Sequence, residues 1–198
     1  MEAYSSFTAC CMDDNLSVDI LYSILRGNYE GVEFPLYFKQ FYGTKKLWDI
    51  LNASFGFWFI SKRLKNVLEE NRFTGWQTYP IKLFYKNMKP IEGYYGFSVV
   101  GRCGPIDYSK SEIIKCVQPE TGYTWKAYKV WYIGLDEWDG SDFFFPGETR
   151  HTIVTQKVVD VLKGFNRQIK FTNLADETTD CADVRDYRRA EKNKNKGK

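Results

Sequence analysis

The sequence predicts an α+β fold, a mostly antiparallel sheet with helices packed on it, containing two copies of a strand–helix–strand unit. Three observations carry this expectation. The stretch "FISKRLKNVLEENRFTGWQTYPI", residues 59–81, returns in outline as "IVTQKVVDVLKGFNRQIKFTNL", residues 153–174. Between them, runs of aromatic and β-branched residues alternate with Gly, Pro and Asp clusters, the pattern of successive strands and loops. Each half shows one alternation of helix and strand, too few for a doubly wound parallel sheet. With 198 residues, 43% of them hydrophobic and 18% aromatic, the chain can build a sizeable core.

Residues 1–54 read as an N-terminal lobe or as an extension of the same domain. Leu16, Ile20 and Ile24 recur at helical spacing with Leu21 and Leu25 beside them, while the β-branched residues and Tyr22 leave a strand reading open. "VEFPLYF" reads as extended, with Pro35 at a sheet edge or at a break between two short strands. "KKLWDIL", residues 45–51, reads as a short helix.

A core α+β domain is expected over residues 55–184. Its first unit, 57–83, opens with an apolar run, after which Ser61 is placed to cap a helix through its hydroxyl. Leu64, Val67 and Leu68 then share one helix face, with Lys62, Arg63, Lys65, Asn66, Glu69 and Glu70 mostly opposite. Gly75 is expected to stop the helix, and "WQTYPIKLFY" reads as one returning strand. In the second unit, 151–174, "TIVT" is the strand, Thr155 the cap, and Val158, Val161, Leu162 and Phe165 the buried face, with "QIKFTNL" returning. The two align without a gap, Ser61 over Thr155 and Leu64 over Val158. Hydroxyl caps are common, so coincidence of a generic helix start stands as the other reading. Between the units, "YYGFSVV", "EIIKCV" and "WKAYKVWYIGL" read as strands, and "RCGP", "QPETG" and "EWDGSD" as loops. Alternation in the last strand places Trp125, Ala127, Lys129, Trp131 and Ile133 on one face.

The net charge of +3 is unevenly distributed. Residues 185–198, "RDYRRAEKNKNKGK", hold seven Lys or Arg against two acids, so this tail carries +5 and residues 1–184 carry −2. Without an apolar residue after Ala190, the tail is expected to be disordered. No apolar run approaches the roughly 18 residues of a membrane span, and the N-terminus lacks the basic start and apolar block of a secretory leader. Five cysteines, an odd number with Cys10 and Cys11 adjacent, show no disulfide framework; reduced thiols and a cytoplasmic location follow as expectations.

Motifs that carry chemistry are scarce. The single histidine, His151, lies near Glu148 and offers a general base oriented by a carboxylate, but no nucleophile motif accompanies it. Cys103 and Cys116 are thirteen apart, without the paired short spacing of a zinc site. In "LDEWDGSD" a calcium loop starting at Asp136 would place Gly147 where the twelfth-position glutamate belongs, so an exposed acidic turn fits better. "GRCGPI" lacks both a Walker lysine and the dinucleotide glycine spacing. No catalytic, cofactor-binding or metal-binding residue is therefore assigned. A hydrolase built on carboxylates that meet only in space stays open. So does a nucleic-acid-binding module using the tail and the aromatic and lysine strands.

The unit "FISKRLKNVLEENRFTGWQTYPI" resembles the signature of bacterial immunity proteins that accompany polymorphic or contact-dependent toxins. In that family a strand ending in Ser or Thr leads through S-x-R/K-h-x-x-h-L, with h apolar, and a glycine to a second strand. "PIDYSKSEII", residues 105–114, and "LDEWDGSDFFF", residues 135–145, resemble the family's middle portion. The resemblance spans about residues 57–174; Arg63 aligns with Lys157, while Gln156 stands where the first copy has Lys62. It implies a non-enzymatic protein that neutralises a cognate toxin domain by direct binding, with no cofactor and no membrane partner. Nucleic acid would bind only through residues 185–198. A tryptophan ringed by acids in a loop is poor core and good interface, so Asp136, Glu137, Trp138, Asp139 and Asp142 are the expected contact residues. A basic nuclease as toxin would suit their charge.

Overall fold

In the computed structural model residues 2–3, 7–13, 16–117, 122–147, 149, 151–165 and 169–176 are described. Eight strands form the main sheet, in the order Trp76–Tyr79, Tyr94–Val99, Trp58–Ser61, Ile50–Ala53, Phe7–Cys11, Leu36–Gly43, Ile81–Phe84 and Pro90–Ile91. The class is α+β, but the sheet is mixed rather than mostly antiparallel. Leu36–Gly43 returns antiparallel to Phe7–Cys11, and Ile50–Ala53 is then inserted on the other flank of Phe7–Cys11, where its direction makes that pair parallel. The junction of Leu36–Gly43 with Ile81–Phe84 is parallel as well.

"WQTYPIKLFY" is two strands. Pro80, which has no N–H to give a ladder, separates Trp76–Tyr79 at one edge of the sheet from Ile81–Phe84 near the other. Segments two residues apart in sequence cannot occupy opposite edges of a flat sheet, so the sheet curls until its edges approach. The interior of the curl holds Phe7, Phe38, Phe57, Phe59 and Tyr79, closed by Leu21, Ile24 and Leu25 of helix α1, Val18–Leu25. Ser17 starts that helix by accepting the Ile20 N–H, which resolves the segment as helical.

On the outer face, Ile50, Ile60, Phe97 and Val99 pack against Leu64 and Leu68 of α2, Lys62–Glu70, and against Val158 and Leu162 of α3, Gln156–Leu162. Phe143 and Phe145 join this second core from a three-stranded sheet of Gly101–Cys103, Phe143–Pro146 and Ile153–Val154. Among the described residues Glu112–Val117 and Thr124–Lys129 pair only with each other. Their ladder ends at Val130, whose φ of 64° breaks the alternation expected to continue to Ile133.

Three further expectations are corrected. "KKLWDIL" supplies the strand Ile50–Ala53 instead of a helix, because Leu51 and Ile50 are claimed by opposite cores on the two faces of the sheet. Gly75 does not stop α2, which ends at Glu70 with the Asn71 amide donating to the Val67 carbonyl. Gly75 is instead a close-approach position: its φ is +80°, and a Cβ there would lie 2.0 Å from the Phe143 carbonyl oxygen. The two units also join different sheets. Trp76–Tyr79 returns into the main sheet, whereas Ile169–Lys170 pairs with Glu2–Ala3. Strands Phe7–Cys11, Leu36–Gly43 and Ile50–Ala53 hydrogen-bond into the same sheet as Trp58–Ser61 and Tyr94–Val99. Among the described residues no helix is long and apolar enough to cross a membrane.

Candidate functional site

In both strand–helix units an aspartate just before the neighbouring strand binds the Ser or Thr at which the helix starts. Asp49 precedes the strand Ile50–Ala53, whose register with Trp58–Ser61 sets Asp49 opposite Ser61. The Ser61 N–H donates to the Asp49 carbonyl at 2.8 Å and its hydroxyl to the carboxylate at 2.6 Å, while the same hydroxyl accepts the Leu64 N–H at 3.1 Å. Arg63 completes the clasp, with Nε donating to Oδ1 at 2.9 Å and Nη2 bound to Oδ2. Hydrogen bonding to Asp49 raises the Arg63 pKa above its ordinary value. Arg63 also lies over the Phe165 ring at 4.7 Å, reaching from α2 to the end of the second unit.

Asp142 plays the corresponding part for α3. It precedes Phe143–Pro146, and the pairing of Phe143 with Val154 sets it opposite Thr155. Its carbonyl accepts the Thr155 N–H at 3.0 Å and its carboxylate the Thr155 hydroxyl at 2.8 Å. The other carboxylate oxygen accepts the Thr74 N–H at 3.1 Å and its hydroxyl at 3.3 Å, and Lys157 lies 3.8 Å away. Thr155 is thus the residue at which α3 starts, but its hydroxyl turns to Asp142 and makes no bond to the helix N-terminus. Asp49 was hidden in the sequence by the helical reading of its neighbours. The signal was an aspartate before an apolar strand, twelve or thirteen residues ahead of a Ser or Thr followed at the second position by Arg or Lys.

The five residues expected at an interface lie on one loop, where the structure divides them. Asp142 is only 6% exposed and is occupied by the clasp. Asp139 accepts the Arg102 N–H at 2.8 Å and the Ser141 N–H and hydroxyl. Its burial would raise the carboxyl pKa, but the hydrogen bonds from Ser141 and Arg102 outweigh that and lower it. Trp138 is 37% exposed, its indole N–H donating to the Ser141 carbonyl at 3.1 Å and its ring lying 5.6 Å from that of Phe144. Asp136 and Glu137, in the turn Leu135–Glu137, present exposed side chains. Asp142 is therefore withdrawn into the clasp and Asp139, though exposed, is held by hydrogen bonds within the loop, while Asp136, Glu137 and Trp138 complete the solvent-facing set.

His151 packs edge-on against Trp131 with ring centroids 4.3 Å apart. Glu148, its candidate partner, lies outside the described residues, as do Cys181 and the tail 185–198. Cys10, Cys11 and Cys103 are free thiols, and burial pushes the Cys103 thiol up to about 11. Among the described residues no group of three or more His, Cys, Asp or Glu is arranged to hold a metal ion. Two arginines tie the end of α1 to the strands on either side of the loop. Arg102 donates to the carbonyls of Val99, Gly101 and Arg26, and Arg26 to those of Gly147 and Thr149, with both guanidinium groups within 6 Å of the Phe145 ring centre.

Comparison with curated proteins finds no match. A family model described as the immunity protein family Imm11 matches residues 25–176, a span that contains both clasps, the acidic loop and all three α-helices except the first seven residues of α1. That span is more than half of the 198 residues, and the chain belongs to the Imm11 immunity protein family.

Proposed function

We propose that this protein is a non-enzymatic immunity protein that binds one cognate toxin domain directly and thereby neutralises it. The family match over residues 25–176 carries this reading. A binder needs exposed aromatic anchors and complementary charge on a stable frame, not an assembled catalytic constellation. The clasps at Asp49 and Asp142 supply such a frame. Their common hydrogen-bonding form is also what supports reading residues 57–83 and 151–174 as copies of one unit.

Asp136, Glu137 and Trp138 are the contact residues on the acidic loop, and Asp139 and Asp142 act by holding it in place. The protein works in the cytoplasm, and any nucleic-acid binding is confined to residues 185–198. Co-expression with the product of the gene immediately upstream tests the reading: rescue of growth together with co-purification is expected. A toxic neighbour that is neither bound nor rescued would count against it. Within the complex, Asp136→Lys with Glu137→Lys should weaken binding by about 1 kcal/mol or more. Unchanged affinity would remove the loop from the interface while leaving the immunity role in place. Oligonucleotide binding, compared across salt between the full chain and a chain ending at Asp183, locates any nucleic-acid contact.

A further inference from the structure

The outer face of the main sheet is covered only in part. α2, α3 and the three-stranded sheet shield Ile50, Ile60, Phe97 and Val99, whereas among the described residues no helix lies over the flank formed by Phe7–Cys11, Leu36–Gly43 and Ile81–Phe84. Along Leu36–Gly43 the buried residues are Leu36, Phe38 and Gln40, so Tyr37, Lys39 and Phe41 point outward. The register brings Lys82 beside Tyr37, and Phe84 and Cys10 beside Lys39. A register shift opposite Thr8 and Ala9 lets both Phe41 and Tyr42 reach solvent, at 72% and 71% exposure. Tyr37, Lys82, Phe84 and Tyr94, with Glu92, also border a recess of about 260 Å³. Exposed aromatic residues grouped in this way mark interaction sites on soluble proteins.

The charge of this flank identifies its occupant. Residues 34–48 and 80–91 contain six lysines, Lys39, Lys45, Lys46, Lys82, Lys86 and Lys89, and no acidic residue. Residues 1–184 carry −2 in total, so the rest of that span, without these +6, carries −8. Lys39 and Lys82 lie on the face itself and the other four lysines in the turns beyond its strands, so positive charge there outweighs Glu92 at the recess. All six cations are lysines, compact point charges that complement an acidic surface on the protein partner that the immunity reading supplies.

We infer that this open sheet face, centred on Tyr37, Lys39, Phe41, Tyr42 and Lys82, docks an acidic, aromatic-accepting surface of the toxin partner, an inference that rests on the immunity reading above. The recess beside Tyr37 receives a partner side chain, and the lysines steer encounter and form the rim. The acidic loop at Asp136 and Glu137 is then a second contact rather than the main electrostatic one.

The test measures affinity of the purified full chain for an inactivated toxin domain from the upstream gene. It compares Lys39→Glu with Lys82→Glu, Phe41→Ala with Tyr42→Ala, and the control pair Lys62→Glu with Arg72→Glu, which lie exposed on and just after α2. Each face pair should lower affinity by about tenfold or more. The lysine-pair effect should shrink as salt rises, and the control pair should bind as wild type. Thermal midpoints near wild type exclude misfolding. Alkylation of Cys10, followed by peptide mass, reads the same face in the unmutated protein and should slow in the complex. Wild-type affinity in both face pairs, or unprotected Cys10 in a formed complex, overturns the inference while the immunity role stands. Failure of the wild-type chain to bind the toxin removes the immunity reading and this face with it. A labelled single-stranded oligonucleotide that loses binding in the face variants, while toxin affinity is unchanged, overturns it in favour of nucleic acid.

Discussion

Replacing Asp142 by alanine tests the clasp that holds α3 and the acidic loop together. The change removes the acceptor for three hydrogen bonds, from the Thr74 N–H, the Thr74 hydroxyl and the Thr155 hydroxyl. A hydrogen bond to a buried charge is worth about 1.5–3 kcal/mol. Thr74 is exposed and Thr155 half-buried, so water compensates in part, and about 1 kcal/mol per bond is the better figure. The Lys157 ion pair, with the lysine side chain 79% exposed, adds well under 1 kcal/mol. The expected loss is about 3 kcal/mol, or about 6–12 °C in thermal midpoint for a chain of this size. Asp142→Asn, which keeps one acceptor oxygen, should lose about half as much. Urea unfolding with an unchanged slope reads the difference, and Asp136→Ala, on the exposed part of the loop, should stay within about 0.5 kcal/mol of wild type. A loss under about 1 kcal/mol for Asp142→Ala would refute the claim that the carboxylate anchors α3.

Three other outcomes follow from the same structure. Gly75→Ala forces a Cβ to 2.0 Å from the Phe143 carbonyl oxygen at a φ of +80°, and should cost more than about 2 kcal/mol in urea unfolding. Arg102→Ala frees the carbonyls of Val99, Gly101 and Arg26 and uncovers Phe145, and should lower stability by about 2–3 kcal/mol. Burial raises the Tyr94 pKa from 10.0 to about 12 while its neutral hydroxyl donates to the Trp48 carbonyl at 2.7 Å. A raised folded-state pKa gives stability that is complete below pH 10 and lost as pH climbs toward 12. Tyr79, fully buried with its hydroxyl unpartnered, is raised well above the ordinary value and acts with the same sign. The pH dependence of urea unfolding should therefore fall steeply over that window in wild type and less steeply in Tyr94→Phe.

Helices α2 and α3 were legible because their signals are local: Ser61 accepts an N–H three residues on, and Leu64 with Leu68, like Val158 with Leu162, follow a period that any helix must have. The α1 segment stayed open between helix and strand until the Ser17 cap and the burial of Leu21, Ile24 and Leu25 were seen. The acidic loop was legible as a turn from Asp and Gly content. Its internal division was not, since Asp139 is held by the Arg102 N–H, thirty-seven positions away, and Asp142 by Thr74 and Thr155. The strand Ile50–Ala53 was misread because four apolar-rich residues serve a helix or a strand equally well until their neighbours in the sheet are known. The same limit hid Asp49, which has meaning only opposite Ser61.

By itself the sequence determined the α+β class, the starts and buried faces of α2 and α3, and the family to which the ordered motifs belong, because capping, periodicity and motif order are written in residues a few places apart. Tertiary structure alone decided the mixed sheet, the curl that brings its edges together at Tyr79 and Ile81, the roles of Asp49 and Asp142, and the basic aromatic face left open beside Tyr37. Each of these depends on which strands become neighbours, and that choice is made by the free energy of the assembled cores rather than by any local stretch of chain.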